Sequence, residues 1–221
     1  MASDAVITAP VVRPQLRVRS AVKSFAGRVV VDVDELVLGE KPIEGLIGPN
    51  GAGKTTLMRM IMHSIPLDRG SVSLRPPEGQ EIVLSSLPAN RMAGHGVVKS
   101  NQVIMDFDKL TIWDSLLLSV ASVRDERPYR IFAEGDLFRR HEEEMRHHLD
   151  YFGFDDPTRF ALSAGEKKLL DIVRCLLLNP RFLLLDEPTA GLPDDTTETV
   201  MQVVRELAEA GTSVVIVEHD L

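Results

Sequence analysis

The run Gly48-Pro49-Asn50-Gly51-Ala52-Gly53-Lys54-Thr55-Thr56 carries the densest chemistry in the chain. It fits the phosphate-loop pattern G-x-x-x-x-G-K-S/T, with Gly48, Gly53, Lys54 and Thr55 in the fixed places. Glycines let the backbone curl so that successive N–H groups face inward around a phosphate. Lys54 is placed to reach the outer phosphates, and the Thr55 hydroxyl to bind Mg²⁺. A helix starting near Lys54 would add its positive N-terminal end. A second signal is the run Phe182–Asp186 followed by Glu187, four apolar residues and two acids. An acid at the tip of a buried strand lies at the carboxyl edge of a sheet, where ligands bind. Asp186 would hold Mg²⁺ there, and Glu187 would polarise a water for attack on a γ-phosphate.

Such a site needs a parallel sheet to carry it. Ile43–Ile47 reads as the strand before the phosphate loop, and Thr55–Met62 as the helix after it. Arg181–Asp186 and Ser213–Val217 read as buried parallel strands, joined by a helix over Thr196–Ala210 that Gly211 caps. Ser163–Asn179 reads as another helix, stopped by Pro180. Near the N-terminus, Leu16–Val22 and Val29–Leu38 read as an antiparallel pair, with a short strand at Ser71–Leu74. From about Asn90 to Asp156 the pattern turns helical, with helices over Leu110–Val123 and Arg139–Phe152. That stretch reads as a helical insert in an α/β core.

Composition narrows the classes. The 221 residues are 44% hydrophobic, enough for one α/β domain with a subdomain. The net charge of −8 argues against a dedicated nucleic-acid binder. The single cysteine, Cys175, lies in an apolar run and reads as an inert core residue. No apolar stretch approaches the ~20 residues that span a bilayer, so a membrane role must come through a partner. The cluster of His141, Glu142, Glu143, Glu144, His147 and His148 reads as a solvated helix face rather than a metal site.

With these residues in view, the chain resembles the nucleotide-binding subunit of ABC transporters. Leu162-Ser163-Ala164-Gly165-Glu166 resembles the signature loop, usually Leu-Ser-Gly-Gly-Gln. Gln102 matches the glutamine loop, Ala190-Gly191-Leu192-Pro193 the D-loop, His219 the switch histidine, and Phe25 the aromatic that stacks on adenine. The motifs come in the family's order from about Leu16 to Leu221. Ser163 and Glu166 also spell a helix-capping box, and the two readings are compatible.

The resemblance implies a P-loop NTPase of the ABC ATPase type: a mostly parallel sheet with flanking helices, an N-terminal antiparallel β subdomain and a helical insert. It implies ATP and Mg²⁺ as ligands. Phe25, Gly48 to Thr56, Ser163 and Gly165 would bind nucleotide; Thr55, Gln102 and Asp186 would position the metal. Glu187, His219 and Gln102 would serve hydrolysis. The implied partners are a second ABC ATPase subunit, identical or not, transmembrane permease subunits and, in uptake systems, a solute-binding protein. The implied place is the cytoplasmic face of the membrane. Ser163 and Gly165 of one subunit would complete the other subunit's ATP site.

The expected organisation is a mobile tail over residues 1–14 and one ABC ATPase domain over 15–221, with a helical subdomain at about 90–178. The end directly after His219-Asp220-Leu221 reads as a truncation. Gly45–Gly51, Gly94–Gln102, Leu110–Leu116 and Val217–Leu221 resemble the ATPase subunits of branched-chain amino-acid and urea uptake systems. Val98-Lys99-Ser100-Asn101 departs from their usual Arg-Thr-Phe or Arg-Lys-Phe before the glutamine, and Pro193 stands where the D-loop usually has Asp or Asn. Two alternatives stay open: a soluble ABC ATPase outside transport, and a regulatory subunit with weak hydrolysis.

Overall fold

The computed structural model describes residues 12–100, 110–120, 134–160 and 162–218. In chain order the strands are β1 (Gln15–Phe25), β2 (Arg28–Leu38), β3 (Ile43–Ile47), β4 (Arg69–Arg75), β5 (Ile82–Val83), β6 (Val97–Lys99), β7 (Phe182–Asp186) and β8 (Ser213–Glu218). The α-helices are α1 (Lys54–Ile61), α2 (Ile112–Val120), α3 (Glu134–Tyr151), α4 (Ala164–Leu177) and α5 (Asp194–Glu209). An antiparallel sheet has the order β2-β1-β4-β5, and a parallel sheet the order β3-β8-β7-β6. An antiparallel β subdomain, a parallel sheet with flanking helices and a helical part are the arrangement that the resemblance implies.

Alternation explains how the layers meet. In β7, Phe182 and Leu184 point to one face and Leu183 and Leu185 to the other, all fully buried. The first pair joins a core with α1 (Leu57, Met58, Met60, Ile61) and with Leu16, Val18 and Leu74 of the antiparallel sheet. The second pair packs with Cys175 of α4 and Val204 of α5. So α1 fills the space between the two sheets, and α4 and α5 cover the parallel sheet's far face. Each buried leucine side chain contributes about 1.5–3 kcal/mol of transfer free energy. A further cluster joins α2, α3, α4 and α5 through Leu116, Met145, Leu149, Ile172 and Val200. Cys175 is buried, and burial pushes its thiol well up from the ordinary range.

Several boundaries differ from the sequence expectations, with local causes. β1 runs on to Phe25 rather than stopping at Val22, because it keeps pairing with β2 up to a turn at Ala26 and Gly27, both with positive φ. α2 begins at Ile112 rather than Leu110. The Thr111 hydroxyl accepts from the Asp114 amide at 3.1 Å while Asp114 accepts from the Thr111 amide at 3.2 Å, a reciprocal cap that fixes the start. α3 starts at Glu134, before the expected Arg139. The strands β5 and β6 were not expected, being too short for periodicity to register. Val97 and Val98 of β6 nevertheless close opposite faces of the parallel sheet's edge.

Candidate functional site

Parallel strands place their carboxyl ends on one edge, and here that edge collects the candidate residues. Ile47 of β3 pairs with Glu218 of β8, and Asp186 of β7 pairs with Val217 of β8. The phosphate loop leaves β3 at this edge, and Glu187 follows β7. One strand separates β3 from β7, so their ends lie about 10 Å apart, a span suited to a triphosphate and its metal.

The loop itself is held between the two sheets. Gly53 caps α1 with φ 90, and a Cβ there would meet the Val30 carbonyl of β2 at 2.7 Å. Only glycine fits that approach and that left-handed backbone. No side chain caps the first amides of α1, so these donors remain available to an anion. Lys54 is buried and folds back on its own loop, donating to the Gly48 carbonyl and, at 3.2 Å, to the Pro49 carbonyl. A phosphate would draw the ammonium from these carbonyls. Thr55 and Thr56 follow in the first turn of α1.

Asp186 is a buried acid, 3% exposed, whose carboxylate oxygens lack hydrogen-bond partners among the described residues. Its nearest countercharge is the Lys99 ammonium, 3.3 Å from Oδ2 and also bonded to the Ser100 carbonyl at 2.7 Å. The Asp186 amide donates to the Ser100 hydroxyl at 2.9 Å. A buried carboxylate with unsatisfied oxygens is costly without a further cation. The donor set therefore fits Mg²⁺, which takes one or two protein oxygens and fills its shell with water and phosphate.

Glu187 stands in a left-handed conformation, φ 50, which is strained for a non-glycine residue. Its amide donates to the Val217 carbonyl at 2.9 Å. Its carbonyl accepts from the Lys168 ammonium at 2.7 Å, and the same ammonium donates to the Ala190 carbonyl at 2.6 Å. Burial lowers the Lys168 pKa, while the Glu187 and Glu218 carboxylates act to raise it.

Ser163 caps α4 by accepting from the Glu166 amide, and Glu166 accepts in return from the Ser163 amide at 2.8 Å, so the expected capping box is present. Arg159 pairs with Glu166, which lowers the Glu166 pKa together with the Ser163 amide. Gly165 lies against the loop after β7, where a Cβ would come within 3.4 Å of Leu192. Phe25 is 47% exposed, and the Lys23 ammonium sits 5.5 Å from its ring centroid. Asp68 holds Lys23 at 2.7 Å and the Ser24 amide at 2.7 Å, and its pKa is lowered chiefly by the Lys23 bond. Phe25 pairs with Arg28, two residues or about 7 Å along β2 from the Val30 carbonyl that touches Gly53.

Gln102 and His219 lie outside the described residues. Lys99, Ser100, Lys168 and Arg159 were not singled out as site residues from the sequence. A lysine at a strand end or on a helix carries no local signal, and only tertiary contact shows what it serves. Among the described residues no helix is long and apolar enough to cross a membrane.

Comparison with known proteins agrees with this geometry. A family model described as ABC transporter matches residues 32–190. The lipopolysaccharide export system ATP-binding protein LptB of Escherichia coli is 31% identical over 93% of this chain and 80% of its own length. The high-affinity branched-chain amino acid transport ATP-binding protein BraF of Pseudomonas aeruginosa is also 31% identical, over 95% of this chain and 83% of its own. Among solved structures, a nucleotide-free ATP-binding cassette from an ABC transporter superposes with a TM-score of 0.74 at 25% identity, covering 93% of this chain and 81% of that one. The ADP conformation of the cassette MJ1267 gives 0.72 at 26% identity, covering 94% and 82%.

Proposed function

The chain belongs to the ABC transporter family as an ATP-binding subunit, an ATPase that powers transport, and on that premise we propose how its residues divide the work and what it moves. The observation that carries the assignment is the buried, unsatisfied Asp186 carboxylate on the same sheet edge as the Gly48–Thr56 loop. The loop amides and Lys54 bind the ATP phosphates, and Phe25 stacks on adenine. Thr55 and Asp186, with Gln102, hold Mg²⁺, which when bound neutralises charge on the phosphates. Glu187 takes a proton from the attacking water, and His219 contacts the γ-phosphate. Ser163 and Gly165 serve the ATP bound by a second subunit, in a head-to-tail dimer seated on transmembrane permease subunits at the cytoplasmic face. The working domain in this reading is residues 15–221, with the helical part at about 90–178 facing the permease.

Glu187→Gln should keep ATP binding and lose about 100-fold or more in turnover. Undiminished hydrolysis by that variant would remove Glu187 from its role.

For the transported solute we propose branched-chain amino acids, urea or a related small solute, taken up with a solute-binding protein. The segments Gly94–Gln102 and Leu110–Leu116 and the likeness to BraF support this. The equal identity to LptB favours a second reading, export of a lipid-borne polysaccharide. Co-purification of the tagged chain from its own host in mild detergent separates the two by the membrane proteins recovered. Permeases together with a periplasmic-type solute receptor support uptake. Permeases with a lipopolysaccharide-handling partner overturn it, and recovery of only soluble partners overturns both.

A further inference from the structure

Lys168 lies outside the residues assigned above, yet it joins two parts of the site. It sits on the second turn of α4, five residues after the cap Ser163. Its ammonium reaches across to the segment after β7 and is bonded to two carbonyls there, Glu187 at 2.7 Å and Ala190 at 2.6 Å. Those carbonyls bracket the tight turn Glu187-Pro188-Thr189-Ala190, whose first residue has a strained left-handed backbone. Without a cation, two carbonyls converging on one point would repel each other, and the turn would relax. Gly165, one turn earlier on α4, packs against Leu192 of the same segment. The start of α4 is thus clamped to the Glu187–Leu192 segment at two places, one polar and one apolar. The Thr189 hydroxyl donates to the Glu218 carboxylate at 3.4 Å, which ties the segment's other side to the end of β8.

We propose that Lys168 is a positioning residue for hydrolysis: its two carbonyl contacts fix the strained Glu187 backbone, and so set the direction in which the Glu187 carboxylate meets the attacking water. The inference rests on the assignment of Glu187 as the base. A long, charged side chain with three donors suits the task, since one ammonium can bond two carbonyls while keeping its charge near the acids beside it. A catalytic carboxylate displaced by about 1 Å loses on the order of 100-fold in rate, while ATP, held elsewhere by the phosphate loop, is bound as before.

The test compares Lys168→Met, Lys168→Arg and Glu187→Gln in the full chain, reading ATP affinity by equilibrium binding, thermal midpoint, and kcat and KM for ATP. Lys168→Met keeps the stem's packing and removes the ammonium. The expected result is a fall in kcat of about 10- to 100-fold with ATP affinity, KM and midpoint near wild type. Lys168→Arg should recover most of the rate, because guanidinium also donates to two acceptors. A Lys168→Met protein that turns over ATP at the wild-type rate overturns the inference, provided Glu187→Gln is inactive. If Lys168→Met instead loses ATP affinity and thermal stability together, the lysine serves folding and the inference is equally overturned. An active Glu187→Gln marks the failure as that of the base assignment.

Discussion

At the scale of the residue, the signature loop is tuned by one charge. Glu166 stands where glutamine is commonest, and Arg159 pairs with it while the Ser163 amide donates to it. These contacts hold the Glu166 pKa below its ordinary value, the Arg159 bond most of all. The folded-state pKa is depressed, so the stabilisation is complete above the unfolded value of about 4.3 and is lost as pH falls through the folded value. Glu166→Gln keeps the capping shape but drops this linkage. Wild type should therefore have the higher thermal midpoint at pH 7, and the gap should close as the pH is lowered from neutral into the range below the unfolded value. A gap that stays constant across that range would mean the pair contributes nothing through charge. The pairing also accounts for how a carboxylate is accommodated where the signature loop commonly has an uncharged glutamine. Arg159 answers its charge locally.

At the scale of the element, the site depends on strands that carry little chemistry themselves. β7 is buried on both faces, and Leu184 has no exposed surface. Leu184→Ala removes packing against α1, Val97 and Val215, and should cost about 2–5 kcal/mol in a denaturant titration. A cost under about 1 kcal/mol would mean that α1 and the parallel sheet pack loosely against each other. This strand was legible in the sequence because an unbroken apolar run of five or so residues, ending in acid, is too short for a helix and suits a strand covered on both faces. β1, β2, β3 and β8 were legible for similar reasons, through alternation or through the motif that follows them. β5 and β6 were not, since two or three residues hold no period. The starts of α2 and α3 were misplaced by two to five residues, as apolar spacing marks a helix's face better than its first turn. Within the site, the loop, the acids and the cap could be read from local spacing. Lys99, Lys168 and Arg159 act across 87, 19 and 7 residues of sequence respectively, and no local pattern encodes such pairings.

At the scale of the whole molecule, the phosphate loop is the hinge of the architecture. It leaves a strand of the parallel sheet, its last glycine abuts β2 of the antiparallel sheet, and its helix fills the core between them. A ligand seated on this loop should therefore stabilise both layers together and raise a single cooperative unfolding midpoint. At 100 times Kd the gain is about 2.7 kcal/mol, which for a domain of this size amounts to roughly 5–10 °C. Part of that gain should require the metal, because the Asp186 carboxylate is buried with, among the described residues, Lys99 as its paired cation. In wild type, ATP with Mg²⁺ should raise the midpoint more than ATP with a chelator. Asp186→Asn keeps the side chain's shape and the Ser100 contact to its amide, and should erase the metal-dependent increment while leaving the smaller ATP-only shift. Lys54→Ala should diminish both. An unchanged Mg²⁺ increment in Asp186→Asn would show that the metal is held elsewhere, and the buried carboxylate would then answer to its pairing with Lys99 alone.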